Sequence, residues 1–106
     1  MEDLVSNEIT KKLIEKGFPI LYYTNSKMER KPFDPTIYEA LKWLREEYSI
    51  HISTKPYPCE DGLMWLYEIR KFSKYISAVV ANKTGFIKEE QASIAGIEYV
   101  LDNLIG

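Results

Sequence analysis

Acid–base and nucleophilic chemistry at neutral pH draws first on histidine and cysteine. This chain holds one of each, His51 and Cys59, in 106 residues. A working Cys–His pair needs the fold to bring thiol and imidazole within hydrogen-bond reach. His51 falls on the polar side of a strand-like run, and Cys59 lies beyond Pro56 and Pro58, beside Glu60 and Asp61. The expectation is an imidazole on a sheet face, an unpaired thiol and no enzyme. A lone cysteine also rules out an intramolecular disulfide and suits a reducing cytosol.

Metal and phosphate chemistry find as little to use. No HxxxH, CxxC or paired-acid spacing is present. The acidic neighbours Glu46-Glu47 and Glu89-Glu90 fall on helical stretches, where adjacent side chains point about 100° apart and do not chelate. Glu60-Asp61 belongs to a turn. No two of the five glycines are spaced as in GxGxxG or a Walker loop. Neither a metal nor a cofactor is expected.

Aromatics are the notable excess: eight Tyr, two Trp and four Phe. Trp65 and Tyr67 alternate in step with Leu63 and Ile69, so they are expected to line a core. Tyr22, Tyr23, Tyr57 and Tyr75 fall on strands or their ends and are candidates for a binding surface. Arg70, Lys71 and Lys74 form a basic cluster at a strand end, which Lys83 and Lys88 extend. Such a surface either binds a protein or stacks bases and holds phosphates. The formal net charge of −2 disfavours nucleic acid. The last helical stretch carries Glu89, Glu90, Glu98 and Asp102 and, from Glu89 on, no Lys or Arg. A protein partner or a homo-oligomer is therefore expected, and no membrane.

The elements that must position these residues follow from periodicity. A first helix is predicted over 6–17, capped by Ser6, striped by Val5, Ile9 and Leu13, and stopped at Gly17. Ile20–Thr24 and Met28–Phe33 read as a small hairpin around Asn25-Ser26. Thr36-x-x-Glu39 matches a capping box, and Ile37, Leu41, Leu44 and Tyr48 continue as one apolar face, widened by Ala40 and Trp43. Ile50–Tyr57 alternates as a strand ended by Pro56 and Pro58. The Asp-Gly of CEDG signals a hairpin turn into a second strand, Leu63–Phe72. A third runs over Tyr75–Ala81, with a turn at Asn82–Gly85. Lys88–Leu104 closes as a helix striped by Ile94, Ile97, Leu101 and Leu104. Its Gly96 costs about 1 kcal/mol relative to Ala, which a close helix-to-sheet approach would explain.

The order α-(ββ)-α-β-β-β-α predicts a two-layer α+β fold, a three-stranded antiparallel meander with helices packed on one face. Residues 1–106 are expected to form a single domain. A chain of this size buries about two-thirds of its unfolded surface. No apolar run approaches the roughly 20 residues of a membrane span. The opening MEDLVSNEITKK is acidic before it is basic and lacks an apolar h-region. Both point to the cytoplasm.

The stretch from Tyr38 onward, helix, three strands, helix, resembles in element order the double-stranded-RNA-binding domain. That family grips phosphates with lysines at the start of its last helix. The corresponding residues here are Lys88-Glu89-Glu90-Gln91, whose acids repel phosphate. A broader likeness, over most of the chain, is to small uncharacterised proteins of bacterial prophage and mobile elements. It rests on Glu15-Lys16-Gly17-Phe18, on Tyr22-Tyr23, on the Ala40–Ile52 helix and IHI strand, and on the EEA…AGI pattern of Glu89–Ile97. The resemblance implies an α+β fold and no established chemistry. Where those proteins carry a Ser or Thr cap before the last helix, this chain has Ile87-Lys88.

Overall fold

The start at Thr36 shows how directly local sequence sets local structure. In the computed structural model, which describes residues 3–105, the Thr36 hydroxyl accepts from the Glu39 N–H at 3.1 Å. The Glu39 carboxylate accepts in return from the Thr36 N–H at 3.0 Å. This capping box opens helix α2, Ile37–Tyr48. Ser49, in the left-handed region at φ 56°, ends it and turns the chain in one residue into strand β3, Ile50–Cys59.

The order is α1 (Asn7–Glu15), β1 (Tyr22–Thr24), β2 (Arg30–Pro32), α2, β3, β4 (Gly62–Phe72), β5 (Ser77–Phe86) and α3 (Glu89–Asn103). β1 and β2 make a two-stranded antiparallel sheet, and β3-β4-β5 make an antiparallel meander. α3 lies across β3 and β4, α2 packs on β3 and α3, and α1 packs on α3. This is the two-layer α+β arrangement that the element order predicts. Its core joins Val5, Ile9 and Leu13 to Ile37, Ala40 and Leu44, to Ile50 and Ile52, to Tyr67 and Ile69, and to the inner side of α3. At about 25 cal/mol per Å² of apolar surface, this burial is the main favourable term in folding.

Several boundaries move, each for a physical reason. β3 does not end at its prolines but continues through Pro56 and Pro58 to Cys59. β3 is an edge strand. The Ser49 carbonyl accepts from the Phe72 N–H at 2.9 Å, so odd-numbered residues turn their backbone groups toward β4 and even-numbered ones turn away. Both prolines therefore face the open edge, where a missing N–H breaks no ladder bond. β5 begins at Ser77 rather than Tyr75 and runs through Asn82–Gly85 instead of turning there. Its register slips twice against β4, at Val80 and beside Gly85. Gly85 has φ 98°, the left-handed backbone that favours glycine. β1 and β2 are shorter than the runs that suggested them.

The stripe of α3 is rotated from the expected one. Ala92, Ser93, Gly96, Ile97, Val100 and Leu101 are buried, while Ile94 and Leu104 are half-buried. Small residues let the helix approach closely: a Cβ on Gly96 would stand 2.8 Å from Ile52 Cγ2 and 3.4 Å from Tyr67 Cγ. Lys88 is the N-cap of α3 and makes no side-chain capping bond. Leu63, expected in the core, lies beyond the helices and is exposed. Leu41 and Tyr48 are half-buried at the rim of α2. Phe18 and Trp43 meet edge-on there at 5.3 Å.

The molecule measures 50 × 39 × 20 Å with a radius of gyration of 15.2 Å. A compact chain of this length has about 13 Å. The excess comes from hairpins that outrun the helical layer, since residues 21–24, 26–31 and 71–80 are all exposed. Among the described residues no helix is long and apolar enough to cross a membrane.

Candidate functional site

Strand β4 decides what each face of the meander offers. Tyr67 and Ile69 point into the core at 4% and 0% exposure. Glu68 and Arg70, one residue out of step, point to the face without helices. Register places His51 and Val79 on either side of Arg70, and Ser53 and Asn82 on either side of Glu68. Arg70 Nε donates to Glu68 Oε1 at 2.6 Å, and its Nη1 donates to Ser77 Oγ at 3.2 Å. Lys55 Nζ donates to Glu68 Oε2 at 3.5 Å. The bond from Arg70 holds the Glu68 carboxyl below the usual carboxylate range; partial burial opposes this and the Lys55 charge adds to it. The middle of this face is thus an ionic row across β3 and β4 that the Ser77 hydroxyl ties to β5.

Beyond that row the surface changes character. β4 and β5 are joined by a short loop in which the Ser73 N–H donates to the Ile76 carbonyl at 2.8 Å and the Ile76 N–H donates back at 3.4 Å. The loop raises Tyr75 and Ile76 into solvent at 86% and 67% exposure. Phe72, Val79 and Val80 are exposed below them. Lys71 and Lys74 are also exposed, and the Lys74 ammonium stands 5.4 Å from the centroid of the Tyr75 ring. The hairpin therefore ends in an apolar tip rimmed by two cations.

The residues singled out from sequence do not form one patch. Lys71, Lys74 and Tyr75 gather at this tip. Arg70 leaves the opposite face of β4 from Lys71 and is engaged by Glu68. Tyr57 lies near the other end of the sheet, opposite Met64, eight residues or about 26 Å along β4 from Phe72. Its hydroxyl accepts from the Gly85 N–H at 3.0 Å. Tyr22 and Tyr23 belong to the separate β1–β2 hairpin, on its two faces. The Arg30 guanidinium stands 4.4 Å above the Tyr22 ring, and Tyr23 packs on Phe33 at 4.9 Å. Sequence reading passed over Glu68, Phe72, Ile76 and Val79. The alternation Glu68-x-Arg70 was a legible signal for the first. Nothing in one dimension marked the others as outside the core.

His51 and Cys59 stand on the same strand, eight residues apart, which is about 26 Å. The fold does not make them a pair. His51 packs edge-on to Phe72 at 6.3 Å, and Cys59 is exposed. Among the described residues no three His, Cys, Asp or Glu side chains gather as metal ligands. No family model, no curated protein sequence and no solved structure matches the chain.

Proposed function

We propose that this is a non-enzymatic, cytoplasmic accessory protein of a phage or mobile element that acts by binding another protein through the β4–β5 tip. One observation carries the binding reading: Tyr75 and Ile76 stand in solvent at the end of the β4–β5 hairpin, with Lys74 beside Tyr75 and Lys71 exposed nearby on β4. An exposed aromatic beside an aliphatic side chain offers apolar area to bury, and an aromatic anchor suits an interface core. The separation of His51 from Cys59 along β3 leaves no Cys–His pair. The prophage assignment rests on the sequence likeness alone.

The test is affinity capture with the full tagged chain, from host cells that also express an untagged copy. Wild type is expected to retain a stoichiometric protein, and the Tyr75→Ser/Ile76→Asp variant to lose it. Capture that is absent, or equal for both baits, overturns the reading.

A second reading, nucleic-acid binding, is favoured by one feature. The helix–three strands–helix order and the exposed Lys71 and Lys74 match what duplex recognition needs in outline. It requires affinity for duplex RNA that falls steeply with salt and that drops further in Lys71→Glu/Lys74→Glu. Binding unaffected by both removes it.

A further inference from the structure

A cleft elsewhere on the molecule is the chemical complement of the tip. It is walled by Phe18, Ile20, Leu21 and Phe33, has the acidic residues Asp34 and Glu39 in its lining, and has no cation there. Leu21, at 78% exposure, forms its lip. Its volume of about 170 Å³ is below the roughly 300–1,000 Å³ of small-molecule sites, so it is sized for one or two side chains. Both carboxylates are held in place. Asp34 accepts from the Thr10 hydroxyl at 2.6 Å and from the Asn7 side-chain amide at 2.9 Å, both on α1, and Glu39 caps α2 through Oε1. Glu39 Oε2 retains acceptor capacity for a further donor, and Asp34 adds its charge to the site. The tip offers two exposed apolar side chains with Lys71 and Lys74 beside them, and these are the groups such a cleft would take.

Within one molecule the two do not meet. The cleft lies at the N-terminal end of α2, beside Glu39. The tip rises from the other end, where the Phe72 N–H reaches the Ser49 carbonyl that follows α2. Twelve helical residues separate these ends, about 18 Å, and the tip projects into solvent beyond that.

We propose that the tip of one copy docks in the cleft of a second copy, head to tail along α2, as a deepening of the reading that the tip binds protein. Ile76 and Tyr75 fill the apolar floor while Lys71 and Lys74 face Asp34 and Glu39. A contact between two different patches of the same chain is heterologous. In the head-to-tail arrangement each contact leaves a free tip at one end and a free cleft at the other, which propagates into a ring or a filament, whereas an antiparallel twofold pair would exchange two tips and stop at a dimer.

Sedimentation of the full chain from about 1 µM to about 1 mM, the span of weak interfaces, tests this. The average mass is expected to rise above 12.4 kDa with concentration. Ile76→Asp, which spoils the tip, and Leu21→Asp, which spoils the cleft, are each expected to stay monomeric. Both sites are exposed, and circular dichroism checks that each variant is folded. An equimolar mixture of the two variants holds one intact tip and one intact cleft per pair. It is expected to form 1:1 dimers and stop there. Wild type that stays monomeric at the highest concentration, assembly that survives Ile76→Asp, or a mixture that stays monomeric overturns the proposal. If wild type stays monomeric but captures another protein in a tip-dependent way, self-docking falls and the protein-binding reading stands. If capture ignores the tip, both fall.

Discussion

Ile69 and Arg70 are neighbours in one strand and belong to different chemistries. Ile69 is wholly buried under α3 and contributes by leaving water. Arg70 faces the side that no helix covers and is held by Glu68 in an ionic row. Exposed and half-exposed ion pairs contribute little to stability, because solvent screens them and two long side chains must be ordered. The ion pairs of the helix-free face therefore contribute little to the fold. Binding surfaces can occupy such a region at small cost to stability. The tip carries this furthest, since Tyr75 and Ile76 are exposed and lie outside the core.

The contrast can be broken most decisively at Ile69. Ile69→Ala is expected to lower unfolding free energy by about 2–5 kcal/mol through lost transfer energy and a cavity, read from urea midpoints. Arg70→Ala, one residue away, is expected to cost far less. Equal losses at the two positions would erase the distinction between the faces. Next comes the helix–sheet seam. Gly96→Val places a branched side chain where even a Cβ would stand 2.8 Å from Ile52, with overpacking worth about 1–3 kcal/mol. A thermal melt that leaves this variant as stable as wild type would mean that α3 is free to move off the sheet.

The smallest expected effect belongs to the open face and depends on pH. The Glu68 carboxyl sits below its usual range because Arg70 donates to it. The stabilisation is thus present above the ordinary carboxylate pKa and is lost as pH falls through the lowered value. Wild type is expected to exceed Glu68→Gln in stability at pH 7, with the gap beginning to close near the ordinary carboxylate pKa and closing as pH falls through the lowered value. Denaturation midpoints measured downward from pH 7 check it, and a gap that does not change with falling pH would assign the difference to packing rather than charge.

Much of the fold was legible because its signals are local. The capping box at Thr36, the N-cap at Ser6 and the stop at Gly17 all depend on residues within four positions of one another. Gly96 was legible as a close approach because a helix interior otherwise favours alanine. The prolines of β3 were not. A strand's end and a strand's open edge look alike in one dimension, and only the pairing partner tells them apart. The turn expected at Asn82–Gly85 failed for the same reason: a glycine with left-handed backbone serves a bulge in a paired strand as well as a turn. The candidate site was half legible. Tyr75, Lys71 and Lys74 were noted for their residue types. Ile76 and Phe72 read as ordinary strand hydrophobics until the hairpin carried them past the helices.

The sequence by itself determined where helices begin and strands alternate, because backbone hydrogen bonds and apolar periods are short-range. It also determined that the chain holds one histidine and one cysteine, while the strand they share set their separation. Only the tertiary structure decided which face of β4 the helices cover, that Arg70 meets Glu68, and that an apolar tip and an acidic cleft stand at opposite ends of α2. Those outcomes depend on contacts between residues tens of positions apart, and such contacts are settled by packing the whole chain at once.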